Sequence, residues 1–193
     1  MHSISNQDRQ YLLALARRVI THGVVRGERL QPDAGDCSVT LRQPGASFVT
    51  LYLQGQLAGC IGTLEASRPL VRDVAENAYS AAFNDPRFKA LAEPGLEIRN
   101  IEIAVLSELQ PLEVVDEADL KTRLEVNQHG VLIDLPGYRA TFLPKVWQAL
   151  PDKTEFIRQL KKKAGLSADY WSGQIKCFLY TTESFSDVQS ISC

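Results

Sequence analysis

No two of the four cysteines in this 193-residue chain (Cys37, Cys60, Cys177 and Cys193) form a CxxC pair. Neither a zinc knuckle nor a redox dithiol is therefore indicated. The three histidines, His2, His22 and His129, are equally scattered, and no spacing proposes a metal site. Charge of one sign is also lacking: the formal net charge is −2, and the longest basic run is Lys161-Lys162-Lys163. That balance leaves no electrostatic footprint for nucleic acid or an anionic membrane. No apolar run approaches the roughly 18 residues of a transmembrane helix, and no apolar h-region follows Met1. These absences lead us to expect a cytoplasmic protein with free, reduced thiols and no cofactor.

What is present is an ordinary globular composition, 45% hydrophobic and 23% charged, long enough for one domain with a smaller attached lobe. Ser5 is placed to cap a first helix with Leu12, Leu15, Ala16, Val19 and Ile20 as its apolar stripe. The Gly-, Pro- and Asp-rich residues 30–45 read as a connecting loop. Two β-prone runs, 47–53 and 57 onward, are joined by Gln54-Gly55-Gln56, a hairpin signal. A helix then runs from Pro69 to about Asn84, with Val71, Val74, Ala75, Ala78 and Ala82 on its apolar face. Pro86 stops it by disfavouring helical geometry at Asp85.

Residues 97–106 alternate around Ile101, Ile103 and Val105 as a half-buried strand, and a short helix follows over 117–124. A second hairpin spans 129–143, turning at Pro136-Gly137, and a helical turn or two covers 144–150. Asp152 and Glu155 form a capping box for a helix with the lysine run in its last turn and Gly165 just past it. A final strand covers 175–181, and the polar residues from Thr182 to Cys193 read as a tail. Hairpins and helices without βαβ regularity make the fold class α+β, with a mixed or antiparallel sheet, flanking helices and a single domain over 1–193.

The stretch LAGCIGTLEA, 57–66, sets Cys60 between two glycines in a strand-like pattern. Strict alternation puts Ala58, Cys60, Gly62 and Leu64 on one face, and Leu57, Gly59, Ile61 and Thr63 on the other. The Cys60 face is then a shallow channel. It either receives the alanine face of the next helix, with Cys60 a small buried hydrophobe, or admits a ligand to the thiol. A reactive thiol needs a cation, a helix N-terminus or a metal to lower its pKa from about 8.5. Candidate cations are Arg87, His129, Arg139 and Lys145, none of them adjacent in sequence. His129 is either a hydrogen-bonded structural residue or an acid/base. Arg87 either grips a carboxylate or phosphate bidentately or salt-bridges near Asp85. Glu102 faces either solvent or the same cleft, and Trp147 reads as core.

Three longer segments, LAGCIG (57–62), AAFNDPRF (81–88) and FLPKVW (142–147), follow one another in a recognisable order and spacing. In both respects the chain resembles the AMMECR domain family, whose bacterial members are called AmmeMemoRadiSam system protein A. The resemblance runs from the first helix to the last strand and implies a two-lobed α+β fold around a cleft lined by these motifs. It also implies partners, a Memo-like protein and a radical S-adenosylmethionine enzyme, whose genes in bacteria often lie beside or fuse with the family's. It names no substrate and no established reaction.

Cys60 and His129 are the catalytic candidates on this view. Gly59, Gly62, Asp85, Arg87, Glu102 and Lys145 are the ligand-binding candidates, and no residue is assigned to a metal. Two positions depart from the family pattern. Ala58 stands where an arginine is usual, which removes a ready thiolate partner, and Lys145 stands where many relatives carry glutamine. Two readings are open. One is a binding component that docks such a partner or holds a small anionic ligand; the other is a thiol-dependent enzyme using Cys60.

Overall fold

The computed structural model describes residues 3–33, 35, 37–91 and 100–187. The chain divides into two compact units, the first reaching Leu106 and rejoined by the segment from Glu183, the second Ser107–Thr182. In chain order the elements are α1 (Asn6–Arg26), α2 (Val39–Arg42), β1 (Ser47–Leu53), β2 (Gln56–Gly62), α3 (Leu70–Phe83), β3 (Asn100–Leu106) and β4 (Gln110–Leu112). Then follow α4 (Glu117–Arg123), β5 (Gly130–Leu135), β6 (Tyr138–Phe142), a 3-10 helix (Pro144–Gln148), α5 (Lys153–Lys163), β7 (Lys176–Tyr180) and β8 (Thr182–Ser186). Helices with two antiparallel sheets make the fold α+β. Among the described residues no helix is long and apolar enough to cross a membrane.

In the first unit Ser5 caps α1 by accepting the Asp8 N–H at 3.1 Å, and the whole expected stripe from Leu12 to Ile20 is buried. The sheet order is β2-β1-β3-β8, with β2 at an edge. Val49 and Leu51 of β1 and Ile101, Ile103 and Val105 of β3 form one apolar face. They share a core with the stripes of α1 and α3.

Four expectations are corrected here. A helical turn, α2, interrupts residues 30–45, because Ser38 caps it through the Leu41 N–H and Leu41 is fully buried. The first hairpin turns on Gln54-Gly55 alone, both at positive φ, a two-residue turn matched to strand twist, so Gln56 belongs to β2. The polar tail begins as the strand β8, held by Glu183, which accepts from Arg9 and the Ile4 N–H, and by Asp187, which accepts the Ile101 N–H at 2.7 Å. Cys193 and the expected strand start at Glu97 lie outside the described residues.

The fourth correction concerns the face of Cys60. The pairings Leu51↔Gly59 and Tyr52↔Leu57 leave Ala58 as the extra residue of a β-bulge. Alternation slips there, so Leu57 joins the side of Tyr52, Thr50 and Cys60. The alanine-rich α3 lies against the opposite side. A Cβ built on Gly59 would stand 2.0 Å from the Ala81 carbonyl oxygen, so helix backbone presses directly on Gly59. Gly62 is crowded by a side chain instead, since its Cβ would meet the Phe48 ring at 2.2 Å.

The sequence pattern also left Asp73 and Asn77 unremarked on α3, yet both are buried. The Asp73 carboxylate accepts from Ser47 Oγ (2.7 Å), Thr63 Oγ1 (2.8 Å), Arg68 Nε (2.9 Å) and Asn77 Nδ2 (2.9 Å). Buried polar groups satisfied in this way rigidify a packing, and here they tie the start of α3 to β1 and the end of β2.

The second unit is built on the sheet β4-β7-β5-β6. Its core holds Trp147, as expected, stacked on Phe156 with ring centroids 3.6 Å apart. The N-terminus of α5 is capped as the sequence predicts, Asp152 Oδ1 accepting the Glu155 N–H at 2.9 Å. The lysine run is more than helix-end chemistry. Lys161 is buried against Glu117 of α4, and Lys163 donates to the Thr141 carbonyl at 2.9 Å. The three-residue strand β4, carrying Pro111, has too short a pattern to be read from sequence.

Gly59→Ala is expected to destabilise the protein by about 3 kcal/mol, because helix backbone cannot yield as a flexible side chain does. Denaturant unfolding measures it, and a midpoint equal to that of wild type would show that α3 does not press on Gly59.

Candidate functional site

Cys60 lies on the edge strand β2, opposite Thr50, which in turn lies opposite Glu102 of β3. Residues directly opposite one another share a sheet face, so Cys60, Thr50 and Glu102 form one row across it. The Cys60 backbone groups point outward, away from β1. That makes Cys60 and Thr50 a non-hydrogen-bonded pair, whose side chains approach most closely. Thr50 Oγ1 donates to the half-buried Cys60 Sγ at 3.4 Å. Thr50 escapes sequence reasoning, because strand register is a long-range property.

What meets the outward backbone of Cys60 is the segment that ends α3. Asp85 precedes a proline and follows the helix by two residues, so its side chain is free to fold back. Its Oδ1 accepts the Arg87 N–H at 3.1 Å, an Asx-turn. Its Oδ2 accepts the Cys60 N–H at 2.9 Å. The Arg87 guanidinium clamps the same carboxylate, Nε to Oδ1 at 2.9 Å and Nη2 to Oδ2 at 2.7 Å, and Nη2 reaches the Cys60 carbonyl at 2.9 Å. Asp85 and Arg87 thus take the N–H and C=O that a neighbouring strand would take.

The two side chains differ sharply in exposure, 1% for Asp85 and 58% for Arg87. The Arg87 guanidinium, helped by the Cys60 and Arg87 N–H groups, holds the buried Asp85 carboxyl down at about 2, against an ordinary 3.8. The Arg87 charge is stabilised in turn, chiefly by its hydrogen bonds to Asp85. The fold therefore brings Cys60 the arginine that residue 58 does not provide. Phe88 adds an aromatic face, its ring centroid 5.3 Å from Arg87 Cζ.

Of the expected site residues, Cys60, Asp85, Arg87 and Glu102 belong to the first unit. Arg87 does salt-bridge Asp85, so its bidentate edge grips a carboxylate of its own chain. Gly59 turns toward α3 and Gly62 toward Phe48. His129 and Lys145 belong to the second unit. His129 Nδ1 accepts the Glu125 N–H at 3.1 Å, and its carbonyl accepts from Trp147 Nε1 at 2.7 Å. A neutral imidazole that accepts at Nδ1 carries its proton on Nε2, so His129 presents a donor there. Arg139 pairs with Asp134 at 3.7 Å, and Lys145 is an exposed residue of the 3-10 helix. Among the described residues no three of His, Cys, Asp and Glu converge as metal ligands.

A folded-state carboxyl below its ordinary value stabilises the fold fully above about pH 4, and the effect is lost as the pH falls through about 2. Asp85→Asn is therefore expected to cost about 2 kcal/mol at pH 7, with the gap to wild type closing between pH 4 and pH 2. Denaturant midpoints of both proteins across that range check it, and a pH-independent gap would contradict the ionic pairing.

A family model described as AMMECR1 matches residues 13–185. Protein MK0488 of Methanopyrus kandleri is 32% identical over 186 residues, which cover 92% of this chain and 86% of the relative. A protein of Methanothermobacter thermautotrophicus is 31% identical over 191 residues, 95% of this chain and 96% of its own. The crystal structure of uncharacterized protein PH0010 from Pyrococcus horikoshii superposes with a TM-score of 0.88 at 27% identity, covering 95% of this chain and 93% of that one.

Proposed function

The chain belongs to the AMMECR1 family, and from that premise we propose that it is a cytoplasmic binding component, receiving a small ligand at the corner formed by Cys60 and Arg87. The observation that carries this reading is the state of Arg87. Its guanidinium is fixed by a buried carboxylate yet exposed to solvent, and it sits beside a half-buried thiol. A cation held in this way is preorganised, because little side-chain freedom is left to lose when a ligand arrives. The partner side of the reading rests on the family resemblance, which associates such proteins with a Memo-like protein and a radical S-adenosylmethionine enzyme.

A second reading, a thiol-dependent enzyme, is favoured by one specific observation. Thr50 donates to the Cys60 thiol and the Arg87 guanidinium donates to the Cys60 carbonyl, so a hydroxyl and a cation both meet the residue that would act.

Both readings need Cys60 to be reachable. Cys177 is the internal control, since burial leaves it 3% exposed and pushes its thiol up to about 11. Iodoacetamide at neutral pH is expected to modify Cys60 well before Cys177, as read by peptide mass mapping. Equal or slower modification of Cys60 would sink both. Co-expression with a Memo-like protein and a radical S-adenosylmethionine protein is expected to yield a complex that co-purifies. Failure to co-purify at low and high salt would remove the partner half of the proposal.

A further inference from the structure

We infer that the ligand group received beside Cys60 is a neutral carbonyl oxygen, as in an amide or ester, and not a phosphate, sulfate or carboxylate. This rests on the ligand site proposed above and names the chemistry that the site selects. The donors of Arg87 can be counted. Nε is used by Asp85 Oδ1, and Nη2 by both Asp85 Oδ2 and the Cys60 carbonyl. Nη1 makes no hydrogen bond among the described residues. Every paired-nitrogen edge that could meet an oxyanion bidentately therefore includes a nitrogen already committed. What is left is one nitrogen, suited to a single acceptor oxygen.

The charge balance points the same way. Asp85 lies directly against Arg87, so the exposed cation is cancelled by a carboxylate that stays ionised throughout the physiological range. A phosphate site gathers positive charge, whereas the Asp85–Arg87 pair sums to neutral. A carbonyl oxygen needs no net charge and would take the Nη1 protons while its remaining atoms lie over the Cys60–Thr50 row.

Two alkylating reagents of nearly the same size read this directly: iodoacetamide, a neutral carboxamide, and iodoacetate, an anion. The same thiolate attacks the CH2 carbon of either reagent and displaces iodide, so the ratio of their rates at Cys60 cancels the thiolate fraction and the exposure. Normalisation to the ratio for glutathione under the same conditions removes the intrinsic reactivity of the reagents. The wild-type protein is expected to prefer iodoacetamide at Cys60 beyond that reference. In Asp85→Asn the guanidinium is no longer neutralised, and the preference is expected to fall by about fivefold, the effect of one unit charge at close range in water. A wild-type ratio at or below the glutathione value would overturn the inference and leave an anion site in its place. A Cys60 that reacts with neither reagent ahead of Cys177 would overturn the ligand site itself. Should Asp85→Asn fail to fold, the wild-type ratio decides alone.

Discussion

The Asp85 carboxylate is the group on which the candidate site depends. Its two oxygens receive the Cys60 N–H, the Arg87 N–H and two nitrogens of the Arg87 guanidinium. One buried anion thereby joins three separate needs. It shapes the turn that follows α3, closes the open edge of β2, and fixes the direction of an exposed cation. An uncovered edge strand is an invitation to pair with another chain, and here the blocking groups are also the groups offered to a ligand. Without its partners such an anion would be costly to bury, so the arrangement holds together as a unit.

The same helix is tied down at its other end. Asp73 binds the start of α3 to β1 and to Thr63 beyond β2, while Asp85 follows the end of α3 and binds β2 at Cys60. Between these anchors the Ala81 carbonyl presses on Gly59, a contact that admits no side chain. The row Cys60–Thr50–Glu102 therefore sits on a sheet whose opposite face is locked. Rigid support of this kind keeps a binding group oriented before anything binds.

Much of this was legible in the sequence. The stripes of α1 and α3, the Ser5 and Asp152 caps and the stop at Pro86 follow from local chemistry and came out within a residue or two. The glycines around Cys60 correctly signalled close approach, but not from which side. A single bulge at Ala58 shifts the alternation by one, and no local pattern announces it. Thr50 was invisible because only cross-strand register places it at the thiol. β8 was hidden by its polar composition, since an edge strand can hold its place through Glu183 and Asp187 more than through apolar residues. Lys161 shows the same limit, as its burial depends on Glu117 of a distant helix. The absence of an arginine at position 58 suggested a Cys60 without a cation, yet Arg87, 27 positions further on, reaches the carbonyl of that residue through tertiary structure.

The most direct test of this account is hydrogen exchange at the Cys60 amide. Cys60 belongs to an edge strand and its N–H points away from β1, so ordinary edge geometry would leave it open to water. The account predicts protection comparable to that of the inner amides of β1, lost in Asp85→Ala while β1 stays protected. Exchange in the wild-type protein as fast as at an exposed loop amide would contradict it.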